Sequence, residues 1–235
     1  MDQKEQFIQE LKKRNITLTE KMIEQLDFYA SYLKEYNEKI NLTAITEYEE
    51  VLDKHFYDSL LLIDRKLTGT LADVGTGAGF PGVVLKIINP DLHITLIEPI
   101  KKRCIFLESL IEKLNLKDIE VLNVRAEDYS LKARERYDYV TARAVSNLNS
   151  LIEVCGAMVK VNGYFICLRG KDGIEEIENA SNAIKTMGFI VEKTWTDYIF
   201  DGSKRTISYF KKENKTDKKY PRKFSIIKGH TLWKK

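Results

Sequence analysis

The chain has 235 residues, 43% hydrophobic and 31% charged, with a formal net charge of +3 at pH 7. That length and balance suit one large globular α/β domain with an extension and are too small for two full domains. No run approaches the ~18 consecutive apolar residues of a membrane helix, residues 1–14 lack an apolar signal core, and Cys104, Cys155 and Cys167 are scattered without metal-ligand spacing, so a cytoplasmic protein with reduced thiols, no membrane segment and no metal is expected.

Residues 1–64 read as a helical extension. Met22, Leu26, Tyr29, Leu33, Tyr36 and Ile40 recur at steps of four and three, which places them on one helical face as core packing. Thr17 with Glu20, and Thr46 with Glu49, have capping-box spacing and predict helix starts. His55 and Asp58 stand three apart on a predicted helix, where a shared face serves hydrogen bonding to the core or contact with a substrate.

From residue 65 to 212 the rhythm changes. Apolar runs over Thr70–Val74, His93–Ile97, 119–124, 137–141 and 163–168 alternate with helical patterns such as 102–114 and 174–187. That alternation predicts βαβ units and a doubly wound, mostly parallel sheet. Runs at 190–199 and 205–210, joined through Asp201-Gly202, predict a closing antiparallel hairpin, which suits a methyltransferase better than a dehydrogenase. Residues 213–235 read as a basic tail. Over 204–235 there are twelve Lys and Arg against two acidic residues, while the rest of the chain is acidic on balance. Such an end fits a polyanion docking at one place, or a solvated Lys-rich tail.

The strongest local signal runs from Asp73 through Gly75, Gly77 and Gly79 to Phe80, Pro81 and Gly82, straight after the first core strand. Glycines there let the backbone turn sharply and approach a ligand. The spacing Gly77-x-Gly79-x-x-Gly82 also fits a dinucleotide loop. Asp73 argues otherwise, because a carboxylate there repels a pyrophosphate and attracts a ligand ammonium. Glu98 ends the next strand, where it can accept from two ribose hydroxyls in either case. Arg125-Ala126-Glu127 follows the third strand, where an amide and a carboxylate can meet an adenine edge. Together these describe a ligand with adenosine at one end and an amino acid at the other.

In order along the chain stand Asn37-x-x-x-Asn41-Leu42-Thr43, His55-x-x-Asp58-Ser59, the glycine loop, Lys102-Arg103, Arg125-Ala126-Glu127, Thr141-Ala142-Arg143-Ala144 and Lys219-Tyr220-Pro221-Arg222. This set resembles the RsmG (GidB) family of bacterial 16S ribosomal RNA guanine-N7 methyltransferases. The resemblance implies a class I methyltransferase sheet with S-adenosylmethionine as cofactor, and cofactor contacts from Gly75, Phe80, Ala126, Glu127 and Arg143. It also implies 16S ribosomal RNA or the small ribosomal subunit as partner; a monomer is expected. Two departures stand out. Arg169-Gly170 replaces the family's Lys-Gly pair, trading a point charge for a planar fork. After Arg222 the chain reads Lys223-Phe224-Ser225-Ile226-Ile227 in place of a Gly-Thr-Pro tail, which leaves these residues without a transferable role.

Guanine N7 carries a lone pair and no proton at neutral pH, so its methylation needs alignment and a supportive field but no general base. The sequence agrees: Thr141-Ala142-Arg143-Ala144 stands where amine methylases carry an Asn/Asp-Pro-Pro-aromatic loop, and Cys155 and Cys167 follow Val154 and Ile166, so no Pro-Cys nucleophile is present. Arg143 and Arg169 are the catalytic candidates, through orientation of the cofactor or contact with a phosphate or guanine O6. Arg205, Lys219 and Arg222 are expected to hold RNA phosphates, which position without reading bases. A methyltransferase acting on a small molecule or a protein is the alternative. An NAD-dependent reductase conflicts with Asp73 and the hairpin, and a non-catalytic RNA-binding module has no need of an adenosine pocket.

Overall fold

The computed structural model describes residues 2–143, 147–229 and 232; Ala144 of the Thr141–Ala144 motif lies outside them. The amphipathic stripes become α1 (Gln3–Lys13) and α2 (Glu20–Ile40), whose buried face carries Leu26, Tyr29, Ala30 and Leu33. α2 is capped two residues later than expected: Thr19, not Thr17, accepts from the Met22 N–H at 3.2 Å. The Thr46 cap also fails, for the next helix enters from Glu47 with no side-chain cap. There α3 (Tyr48–Val51), a π-helical stretch (Leu52–Tyr57) and α4 (Asp58–Leu60) run on without a break.

The sheet follows as β1 (Thr70–Val74), α5 (Gly82–Ile88), β2 (His93–Ile97), α6 (Lys101–Lys113), β3 (Ile119–Leu122), α7 (Ala126–Ser130), β4 (Tyr137–Arg143), α8 (Leu148–Gly156), β5 (Val159–Arg169), α9 (Gly173–Asn179), α10 (Ser181–Thr186), β6 (Phe189–Tyr198), β7 (Lys204–Lys212) and α11 (Phe224–Gly229). The single helix expected over 174–187 is broken at Ala180 into α9 and α10. Strand order is β3-β2-β1-β4-β5-β7-β6. β7 pairs antiparallel with both β5 and β6, so the hairpin folds back and wedges its second strand into the sheet.

Strand side chains alternate between two cores, as period-two geometry requires. Leu71, Leu96, Ile166, Leu168 and Tyr209 pack against α1, α2, α5 and α6 on one face. Ala72, Val74, Ala142, Phe165, Cys167 and Phe210 pack against α8 and α10 on the other. The N-terminal helices are therefore part of the first core. Among the described residues no helix is long and apolar enough to cross a membrane.

The segment expected as a basic tail is, as far as residue 229, folded back onto the domain. Buried Lys212 donates to the carbonyls of Gly156 at 2.7 Å and Met187 at 2.6 Å and to the Thr216 hydroxyl. Arg134 donates to the carbonyls of Thr216 at 2.6 Å and Tyr220 at 2.5 Å, and Ile227 is fully buried. Residues 230, 231 and 233–235 lie outside the described residues.

Candidate active site

The ends of β1, β2 and β3 open into a cavity of about 350 Å³, lined by Val74, Gly75, Glu98, Ile100, Ala126, Glu127, Arg143, Leu151, Val154 and Phe224 among others. This is where a doubly wound sheet presents its strand ends and helix N-termini to a ligand. Gly75, Gly77 and Gly79 all have positive φ, at 67°, 62° and 102°. Glu98 is buried with its oxygens engaged: Oε2 accepts from the Gly77 N–H at 3.0 Å and Oε1 from the Ile100 N–H at 2.9 Å. Each oxygen keeps a free lone pair, so Glu98 ties the glycine loop to the end of β2 and can still accept ligand hydroxyls.

Not every residue expected at the cofactor lines this cavity. Asp73 holds the loop from within: Oδ2 accepts from the Thr76 hydroxyl at 2.6 Å and the Gly82 N–H at 2.8 Å. Its Oδ1 is buried without a partner, and burial pushes the carboxyl up to about 6. Gly79 serves packing, because a Cβ there would meet Tyr29 Oη at 2.6 Å and Val83 Cγ2 at 2.8 Å. Gly77 has open space, with Gly75 O at 4.0 Å the nearest atom to its absent Cβ. Phe80 sits in an aromatic stack, 4.2 Å from the His55 ring and 5.2 Å from Tyr29, with the Arg143 guanidinium 5.3 Å from its centroid. Tyr29 also donates to the Ala78 carbonyl at 2.5 Å, so α2 braces the glycine loop.

A second, wider cleft of about 670 Å³ lies between the sheet and the N-terminal helices, lined by Lys54, His55, Asp58, Arg143, Arg169, Glu176, Asp201 and Arg205 among others. Arg143, at the end of β4, lines both spaces. Its Nη1 donates to Asp58 Oδ2 at 2.8 Å and to the Lys54 carbonyl at 3.1 Å, and its Nη2 lies 3.3 Å from His55 Nδ1. The other Asp58 oxygen accepts from Arg205 Nε at 2.6 Å. One buried carboxylate thus orients two guanidinium groups brought from β4 and β7.

Local chemistry explains the frame. Asn41 ends α2 with φ of 42°, and Asn37 Oδ1 accepts from the N–H groups of Leu42 at 2.6 Å and Thr43 at 2.9 Å. That turn sets Thr43 Oγ1 3.1 Å from His55 Nε2. Burial, reinforced by the Arg143 charge, lowers His55 to about 3, so its ring is neutral at pH 7. Asp53 accepts from the N–H groups of Phe200 at 2.6 Å and Asp201 at 3.1 Å, which anchors the β6–β7 turn beside the cleft.

The basic candidates separate. Arg169, ending β5, pairs with Glu176 on α9, and its Nε is buried without a partner. Arg205, expected to hold an RNA phosphate, lies on β7 and is a wall of the cleft. Lys219 is on the surface, 3.6 Å from Asp217 and over the Tyr220 ring. Arg222 is engaged inside: its Nε and Nη2 donate to fully buried Glu153 at 2.8 and 2.7 Å, and its backbone N–H adds a third bond at 2.9 Å. Removing one side of such a pair costs about 3–5 kcal/mol, which makes Arg222 an anchor of the C-terminal segment.

Residues 22–197 match the family model described as rRNA small subunit methyltransferase G, GidB. The chain belongs to this family. Two proteins named ribosomal RNA small subunit methyltransferase G, from Lysinibacillus sphaericus and Bacillus cytotoxicus, are 42% and 45% identical to it over 225 residues, 93% of this chain and 94% of each relative. A SAM dependent methyltransferase from Aquifex aeolicus shares the fold, with a TM-score of 0.52 at 18% identity over 77% of this chain and 97% of that one.

The smaller cavity fits the S-adenosylmethionine of a methyltransferase G on its own chemistry. It offers a buried carboxylate with spare lone pairs at Glu98, a second carboxylate at Glu127, and apolar faces at Ile100 and Phe224. Lys54 and Phe224 line these spaces without sequence reasoning having placed them there, and Asp58, read from the sequence as hydrogen bonding to the core or contacting a substrate, lines the wider cleft. The family spacing His55-x-x-Asp58 pointed to a shared face, but nothing local in the sequence pointed to Phe224.

Proposed function

We propose that this chain transfers the methyl group of S-adenosylmethionine to N7 of a specific guanine in 16S ribosomal RNA, as a monomer in the cytoplasm. The observation that carries the reading is Arg143, the residue common to the cofactor cavity and the substrate cleft. A methyl donor in one space and a guanine in the other would meet at its guanidinium. Within this reading the N-terminal helices form one wall of the cleft, residues 65–212 hold the cofactor, and the C-terminal segment closes the cofactor cavity.

S-adenosylmethionine supplies the electrophilic methyl; the protein residues align and exclude. Glu98 and Glu127 would accept from the ribose and adenine ends, while the Gly75 turn would admit the ligand to the strand ends. N7 has no proton to lose, and neutral His55 is spoken for by its neighbours, so no base is required. Positive charge spreads onto the guanine ring during transfer, and Arg143 and Arg205 would oppose it. Asp58 offsets that field by holding both guanidinium groups, and it keeps Arg143 from forking onto O6 and N7 together, which would occupy the nucleophile. Lys54, Arg169 and Arg205 supply positive charge for the backbone phosphates of the target strand.

The test is transfer of labelled methyl from S-adenosylmethionine to unmodified small subunits and to naked 16S ribosomal RNA, followed by digestion to nucleosides. Label in 7-methylguanosine alone supports the reading. Label on an exocyclic amine or a pyrimidine carbon, or none in RNA, refutes it.

A further inference from the structure

Among the described residues the cofactor cavity has one aromatic residue in its lining, and it comes from the C-terminal segment. Phe224 opens α11, in the stretch where the sequence departs from the family tail. It is 42% exposed, and Ile100, another lining residue, is 47% exposed. Two large apolar side chains left open at the mouth of a cavity present faces with no covering partner, which is what the flat ring of a nucleobase would fill.

The segment carrying Phe224 is held on both sides of it. Before it, Arg222 is bound to Glu153 of α8 through guanidinium and backbone. After it, Ile227 is fully buried. α8 itself contributes Leu151 and Val154 to the cavity, so the helix that anchors the segment also forms the cavity wall. Phe224 is therefore a placed residue.

We propose that Phe224 is a cofactor-binding residue, and that residues 223–229 form a cover over the adenine end of the cavity. The proposal rests on the cofactor reading above. Adenine enters beside Glu127, between the Phe224 ring and Ile100, and occupancy in turn holds the segment down. Base-on-aromatic stacking is worth about 1–3 kcal/mol by alanine substitution, or roughly 5- to 150-fold in affinity.

The experiment measures binding of S-adenosylhomocysteine and of 5′-methylthioadenosine by calorimetry to wild type, Phe224→Ala and Phe224→Leu. Both ligands carry the adenosine, so Phe224→Ala should weaken both by the same factor, about tenfold, with Phe224→Leu in between. In parallel, S-adenosylhomocysteine should slow amide hydrogen exchange of 223–229 in the wild-type protein, a readout that needs no variant. Wild-type affinity in Phe224→Ala, or unchanged exchange of 223–229 in the liganded protein, overturns the proposal. Failure of wild type to bind either ligand overturns the cofactor reading instead.

Discussion

Replacing Asp58 with Asn tests the shared carboxylate at the centre of the cleft. Asp58 is 3% exposed and takes one short bond on each oxygen, 2.8 Å from Arg143 and 2.6 Å from Arg205. The amide keeps the shape but offers one acceptor oxygen and no charge. One of two charge-assisted bonds is lost, each worth about 1.5–3 kcal/mol, and two guanidinium groups are left facing each other with no counter-charge between them. The cost of breaking a buried pair from one side, about 3–5 kcal/mol, bounds the loss for Asp58→Ala; about 2–3 kcal/mol is expected for Asp58→Asn. Urea denaturation measures that term. Steady-state methyl transfer separates it from function: kcat should fall by about tenfold or more, because Arg143 is freed to contact the nucleophile, while S-adenosylhomocysteine affinity moves less than about threefold. Asp58→Glu, which retains the charge, should recover part of kcat. An Asp58→Asn protein with wild-type stability and wild-type kcat would refute the argument that this carboxylate sets the position of Arg143.

Gly79→Ala should destabilise by about 2–4 kcal/mol in urea denaturation, since its Cβ would lie 2.6 Å from Tyr29 Oη at a φ of 102°; Gly77→Ala, with its nearest neighbour at 4.0 Å, should cost only about 1 kcal/mol. Equal losses in the two would show that α2 does not press on the loop. The pH dependence of stability follows from His55 and Asp73. His55 falls from 6.5 to about 3 on folding, so the unfolded chain takes up a proton first and stability is lost as pH falls from 6.5 towards 3. Asp73 rises from 3.8 to about 6, so the folded chain takes up its proton first and stability is gained as pH falls from 6 to 3.8. His55→Gln should therefore lose less stability than wild type between about pH 6.5 and 4.5, by on the order of 1 kcal/mol or more. Parallel stability curves for the two proteins would show that His55 is not buried as a neutral ring.

How much of this was legible beforehand differs by element. Thr70–Val74 and His93–Ile97 match their strands end to end, because a short, mostly apolar run between turn residues leaves a chain few other ways to bury it. The helix over 174–187 did not survive, since nothing in its periodicity marks the break at Ala180. Both capping boxes misplaced their helix starts: Thr17 and Thr19 can each cap α2 and the spacing does not choose between them, whereas the helix at Tyr48 enters from Glu47 with no side-chain cap.

The site divides along the same line. Sequence by itself determined the strand-loop-helix at Asp73 to Gly82, Glu98 at the end of the next strand and Arg125-Ala126-Glu127 after the third, since each is a local match of residue type to backbone position. Tertiary structure alone decided which of these line the cavity at the strand ends. Gly79 turned towards Tyr29 from another helix, Asp73 turned into the loop, and Arg222 went to buried Glu153, 69 residues away. The pairing of Asp58 with both Arg143 and Arg205, and the arrival of Phe224 at the cofactor cavity, join residues separated by as much as 147 positions or by the whole sheet. Charge counted along the sequence could not show this. A guanidinium near a buried carboxylate is drawn to it whatever else lies beside it in the chain, so the basic end was partly spent on holding the protein together rather than left facing solvent.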